Sequence, residues 1–395
     1  MPRHAEPDDE PAYEEIGGGL IEDAPSHQAS AGGSRSGGAT GVEMSDGDWE
    51  PWADGAAPVR RARLHSVVAV LSAAGRECWA AIRSVRFWLG VAAGLLAPAA
   101  VAVGLASFAM ANQWFEYGGA WIGGVVIGAS FVPLSAAVLG TIWGFGRPRT
   151  EGAAGAGARV AASGAKGLVF AVVAGMMILL AGAPAEASDI GGPPAQGTAG
   201  LAGAAVVVIF VEALLFGALG AGARLLFRRA LPGALLAGVL VAVLGVVNVV
   251  VTVLLLPSTF VPERVSVPVN VSRDASGRLV SYECVGDPVR LELVLHSERV
   301  LWISAGNPAV IYGTVASGLV PESNDIAWLL PELQRGFEGP AREVACINGV
   351  ASDEIQPAPP LWLVGLAGQA AIAAVLLVPG RRLAVRRLAR ATDGS

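Results

Sequence analysis

Six stretches of the chain are too apolar, for too long, to be elements of a water-soluble fold. They are Trp88–Met110, Gly119–Phe145, Gly167–Ala183, Gly200–Ala223, Ala234–Leu256 and Leu361–Val378. A helix needs about 20 predominantly apolar residues to cross the hydrocarbon core of a bilayer. None of these runs has a polar face to turn to water, as a surface helix of a soluble protein must. Each therefore reads as a transmembrane helix. The third and sixth are short, and Lys166 and Arg381 at their flanks are expected to snorkel across the mismatch. Composition agrees: 53% of residues are hydrophobic and 15% charged, where soluble proteins carry about 25% charged residues. One lysine among 27 basic residues, with abundant Ala and Gly, points to a GC-rich bacterial source.

The basic residues give the threading. Arg76, Arg83 and Arg86 precede the first span; Arg147, Arg149, Arg159 and Lys166 lie between the second and third. Arg224, Arg228 and Arg229 join the fourth to the fifth, and Arg381, Arg382, Arg386, Arg387 and Arg390 follow the sixth. The short loops at 112–118 and 184–198 contain neither Arg nor Lys. Short cytoplasmic loops are the ones enriched in Lys and Arg, so both termini are expected in the cytoplasm, in a cytoplasmic membrane, with 257–360 outside. The opening fifty-odd residues lack the apolar core of a signal peptide. Span one is expected to serve as the insertion signal.

Residues 1–57 are acidic and rich in Gly, Ser and Pro, a composition that buries too little apolar surface to fold, and they read as disordered. Trp49 and Trp52 within them fit a linker with incidental aromatics, or a short docking motif. Over 58–87, Leu64, Val67, Val68, Leu71, Cys78, Trp79, Ile82 and Val85 gather on one side of a helix, with Arg76 and Arg83 off that stripe. A basic amphipathic helix beside a membrane is expected to lie on anionic lipid over 60–86; packing on a partner or on the basic loops is the alternative.

The outward segment, 257–360, is long enough for one small domain. Val265, Val267, Val269 and Val271 alternate with Ser266, Pro268, Asn270 and Ser272, predicting a half-buried strand kept at an edge by Pro268. Leu279–Cys284 reads as its return after a turn at Asp274–Gly277. Val289–Leu295 alternates again. Val300–Ile303, Val310–Val315 and Ala341–Cys346 are further strand candidates, with a turn at Gly306–Pro308 and a short helix at Asp325–Gln334. The expectation is a mostly β, sandwich-like domain. Cys284 and Cys346 are the only cysteines on this side; in an oxidising compartment they are expected to pair. With His296 they match no zinc spacing, so no metal is expected. Cys78 stays inside, reduced.

Glu212 is the one carboxylate near the middle of a span. A charge there is costly, so such a group is normally buried, paired or protonated. Asn248 and Gln369 fall near the middle of spans five and six, at similar depth, and complete an intramembrane polar cluster. Ala213, Gly217 and Gly220 form a small-residue stripe beside it. The preferred reading is that a protonated Glu212 hydrogen-bonds across helices and holds spans four, five and six together. The alternative makes it the proton- or ion-carrying group of a transport path.

No HExxH, P-loop or GxSxG motif is present, and His4, His27, His65 and His296 all lie outside the spans. Catalysis and a cofactor are therefore not expected. Nor is nucleic-acid binding, because no basic stripe interleaved with aromatics appears. The expected organisation is an all-α bundle of six transmembrane helices with one small, mostly β extracytoplasmic domain and a disordered N-terminal tail. Its parts are the tail (1–57), juxtamembrane helix (58–87), spans one to five (88–256), outward domain (257–360), span six (361–379) and basic tail (380–395). In function it reads as a multi-pass protein anchoring a domain that binds an envelope protein or extracellular ligand; the alternative is a transporter or permease subunit using Glu212.

Overall fold

The computed structural model describes residues 56–112, 117–146, 154–187, 197–227, 229–273, 279–284, 290–319, 329–340, 346–347, 350–351 and 358–392. The readings of the acidic tail to residue 55, of the Asp274–Gly277 turn and of 341–345 fall outside these residues. The chain is mostly helical, with six helices among the described residues long and apolar enough to cross a membrane and a small β insert between the fifth and sixth. In lipid, a helix satisfies its own backbone polar groups, which is why the apolar runs take this form.

The helices are α1 (Ala56–Ile82), α2 (Val85–Ala111), α3 (Tyr117–Phe145), α4 (Ala154–Ala187) and α5 (Thr198–Leu226). Span five is built from α6 (Ala230–Ala242), a π turn at Val243–Val247 and α7 (Asn248–Leu255). The sixth span is the start of α11 (Leu361–Thr392). Span three is not short: its helix begins at Ala154, because the Ala- and Gly-rich residues ahead of Lys166 continue the same helix. Span six likewise runs on past Pro379 and Gly380 into the arginines.

Helix α5 is the axis of the bundle, packed against α3, α4 and α11. Its small residues allow backbone-to-backbone approach. A Cβ on Gly140 of α3 would sit 2.8 Å from the Ala213 carbonyl oxygen, and one on Gly144 would collide with that of Gly217. Ser163 of α4 donates its hydroxyl to the Ala213 carbonyl at 2.9 Å, with the Gly140 carbonyl at 3.2 Å. The three helices thus meet along the small-residue stripe read from the sequence.

Described basic residues gather at the Leu226 end of α5. Arg387 donates to the carbonyls of Leu225 and Leu226 at 3.1 and 2.9 Å, occupying acceptors that the end of α5 leaves free. Arg224 lies 5.9 Å from the Phe145 ring centre. Helix α1 packs against α4 at this end, burying Ala74 and Cys78, whereas Val68, Leu71 and Trp79 of the expected apolar stripe stay exposed. Arg83 stacks over Trp79 at 4.7 Å. The helix stops at Ile82, short of Val85, because Ser84 caps α2 by accepting from the Phe87 amide at 3.3 Å.

The insert carries β1 (Phe260–Val265), β2 (Pro268–Arg273), β3 (Leu279–Cys284), β4 (Arg290–Leu295), β5 (Cys346–Ile347) and β6 (Val350–Ala351). They form a four-stranded sheet ordered β4-β1-β5-β6 and a separate β2–β3 ribbon, not a sandwich. The valine alternation expected as one strand breaks at Ser266–Val267, where β1 leaves one sheet and β2 enters the other at Pro268. Cys284 and Cys346 form the expected disulfide, which ties the ribbon to the larger sheet.

The largest departure lies at 298–317. Both strand candidates there are helices, α8 (Glu298–Ser304) and α9 (Pro308–Ser317), followed by α10 (Leu329–Glu338). β-branched residues made the stretch look extended, but it lacks alternation. Val310, Ile311, Tyr312 and Thr314 are all buried together because the helix is enclosed by other helices rather than laid on a sheet. Two helix-start signals stand at its centre: Asn307 at the N-cap and Pro308 at the first position.

Candidate functional site at a re-entrant hairpin

Helices α8 and α9 form a hairpin that leaves the insert, enters the bundle and returns. At 1.5 Å per residue they are about 10 and 15 Å long, roughly a third and a half of a hydrocarbon core about 30 Å thick. Helix α9 lies against α3, α5 and α11, and α8 lies against α7. Tyr312 is fully buried and donates its hydroxyl to the Leu201 carbonyl on α5 at 3.2 Å. At the mouth, the His296 ring holds Glu263 of β1 at 3.0 Å through Nε2 and Glu298 of α8 at 2.7 Å through Nδ1. Ser297 donates to the Gly336 carbonyl of α10 at 2.7 Å. These contacts fix where the hairpin dives.

Its tip is Ala305–Gly306–Asn307. Asn307 Oδ1 accepts from the Ala309 amide at 2.8 Å, capping α9. Asn307 Nδ2 donates to the Gly245 carbonyl at 2.8 Å and approaches Asn248 Oδ1 at 3.3 Å. Gly245 lies inside the π turn, where the Asn248 amide bonds back to the Val243 carbonyl, five residues away. The wider turn breaks the ordinary i to i−4 ladder and exposes a carbonyl for the hairpin to use. On the other side, a Cβ at Gly365 of α11 would collide with the Ala305 carbonyl, so glycine alone lets α11 meet the tip.

The three polar residues singled out from the sequence stand at this tip. Gln369 donates through Nε2 to Glu212 Oε1 at 3.1 Å and to the Gly306 carbonyl at 3.0 Å. Glu212 and Gln369 are both 0% exposed and Asn248 is 6% exposed. Gln369 thus joins α5, α11 and the hairpin, and Asn248 joins the hairpin to span five. Glu212 Oε2, Gln369 Oε1 and Asn248 Nδ2 are buried without a hydrogen-bond partner. No described ion pair involves Glu212, and no group of three metal-ligating side chains occurs among the described residues.

The sequence located Glu212, Asn248 and Gln369 by their polarity at mid-span. It missed Asn307, Gly306 and Tyr312, because the segment that bears them was read as part of an outward domain. The available signal was Asn-Pro between two apolar runs, each too short to cross a membrane. Comparison of the chain with protein-family models, with curated proteins and with solved structures found no match.

Proposed function

We propose that this protein moves an ion or small solute across the cytoplasmic membrane and has no enzymatic role. In this reading the α8–α9 hairpin forms the outer part of the barrier, and Glu212 is the central carrying group. What supports it is the meeting of the hairpin tip with a buried carboxylate through Gln369. Non-helical backbone at membrane depth occurs where it is enclosed by protein or lines a path, and broken helices near the midplane are a recurrent way to build ion sites. Packing alone would not need a carboxyl group there. The arginine distribution supports cytoplasmic termini and an outward-facing insert. The test is flux in proteoliposomes, as decay of an imposed pH or ion gradient, comparing wild type with Glu212→Gln at equal reconstituted amounts. Lost flux in a normally assembled variant is expected; equal leak in wild type, variant and empty vesicles would end the transport reading.

A second reading rests on the insert. Phe260 and Pro262 of β1 pair with Leu295 and Leu293 of β4, so they share a sheet face with Leu291. Leu291 and Leu293 are 71% and 67% exposed there. An apolar patch facing outward fits recognition of an envelope protein or extracellular ligand. A component that co-purifies stoichiometrically with the full chain, and is absent with Leu291→Ser/Leu293→Ser, would favour it; identical preparations would count against it.

A further inference from the structure

The hydrogen-bond accounts of Glu212 and Gln369 do not balance, and the shortfall has a definite sign. Gln369 has two amide hydrogens, and both are used, one on Glu212 Oε1 at 3.1 Å and one on the Gly306 carbonyl at 3.0 Å. That leaves two fully buried oxygens on adjoining side chains, Glu212 Oε2 and Gln369 Oε1, with no hydrogen to accept. Exchanging oxygen and nitrogen on Gln369 would set its oxygen against the Gly306 carbonyl, which has no hydrogen to give, so the amide stays as placed. Exchanging them on Asn248 would point its NH2 at the Val249 amide, 2.8 Å from the present oxygen, and at Asn307 Nδ2. Around Glu212 and Gln369 what is missing is a hydrogen, whereas Asn248 Nδ2 is a buried donor without an acceptor.

A metal ion is a poor fit to that gap. Hard divalent cations take six to eight oxygens, and an alkali ion likewise gives up a full shell of water oxygens. Two free oxygens do not replace such a shell. A hydrogen on Glu212 Oε2 turns that oxygen into a donor, and Gln369 Oε1, on the side chain already bonded to Glu212, is a buried acceptor with no donor of its own.

We propose that the cation carried at this site is the proton, held as the carboxylic acid of Glu212 against the Gln369 amide at the tip of the hairpin. This rests on the transport reading above and names its coupling ion. Release leaves a carboxylate and a free proton with no bond to another group formed. The carboxylate then has a single amide donor at bilayer depth, so the deprotonated state needs water or new donors at the tip. Displacement of Gly306 and Asn307, at the N-terminus of α9, would supply both. Proton exchange and hairpin position are therefore linked.

The experiment is infrared difference spectroscopy of the full-length protein in lipid nanodiscs, titrated in pH, with sodium and potassium salts compared against choline. Wild type is expected to show a protonated-carboxyl band that is absent from Glu212→Gln and unchanged by the alkali cation. Gln369→Leu should shift that band without removing it, because the acid loses its amide acceptor; a purely structural Gln369 would leave it in place. No such band, or one that sodium abolishes while raising the Tm of wild type but not of Glu212→Gln, would overturn the proton assignment and leave transport standing. A band present with flux unaffected by Glu212→Gln would instead remove transport and leave the protonated acid.

Discussion

Asn307 Nδ2 donates to the carbonyl oxygen of Gly245 at 2.8 Å, across 62 residues of chain. The bond pins the deepest point of a re-entrant hairpin to a π turn that has opened its own ladder to receive it. Asn307 also caps α9 with its side-chain oxygen. Replacing it by Leu removes both interactions. The cost should be about 2–4 kcal/mol, combining a lost cap near 1 with a buried carbonyl left unmatched at 1–3. Thermal unfolding in detergent should show it, with Asn307→Asp retaining the cap but replacing the Nδ2 bonds to Gly245 and Asn248 with a buried acid oxygen facing two acceptors. Equal Tm for Asn307→Leu and wild type would mean that the hairpin is held elsewhere.

Gly365 and Gly368 make a matched pair. Both lie on α11, but a Cβ at Gly365 meets the Ala305 carbonyl while one at Gly368 meets nothing within 4 Å. Gly365→Ala should displace the tip and expose a cysteine placed at Gly306 to a hydrophilic thiol reagent. Gly368→Ala should change neither reactivity nor stability by more than about 0.5 kcal/mol, as for substitutions away from such features. If the two variants behave alike, close approach at Gly365 is not what seats the hairpin.

The Cys284–Cys346 bridge closes a separation of 62 residues. In the chain-entropy account a loop of that length stabilises the fold by about 4 kcal/mol. Non-reducing electrophoresis should show a mobility difference that reduction abolishes and that Cys284→Ser lacks. The same variant should unfold its insert at lower denaturant than wild type. Identical mobility with and without reductant would remove the bridge.

Cys78 packs against α4, and burial pushes its thiol above the ordinary range, with Lys166 opposing in part. Because only the thiolate is alkylated, a raised thiol reaches half-maximal reactivity at higher pH than in the unfolded chain. Iodoacetamide labelling of native protein across pH, set against the denatured control, measures this directly. Coincident curves would place Cys78 in contact with water.

How much of this was readable beforehand depends on whether the physical signal was local. The spans were legible because burial in lipid demands an unbroken apolar run, and such runs need no partner to be recognised. Glu212, Asn248 and Gln369 stood out for the same reason, as exceptions inside those runs. The pairing of Cys284 with Cys346 followed from their being alone on one side. Where two environments share a composition, the reading failed. Val300–Ile303 and Val310–Val315 have the β-branched content of buried strands, and only enclosure by α3, α5, α7 and α11 makes them helices. The end of α4 was missed for the opposite reason. Ala154–Lys166 is too weakly apolar to announce itself, yet it is helical and packs against α1. The π turn left no sequence mark, since its carbonyl matters only once Asn307 arrives.

The bridge between Cys284 and Cys346 spans the entire excursion, because α8, α9 and α10 all lie between the two cysteines. The hairpin is thus a stitch in a sealed covalent ring. A protease that nicks the backbone anywhere inside that ring releases no fragment, and the first five spans stay joined to the sixth until a reductant opens the sulfur link.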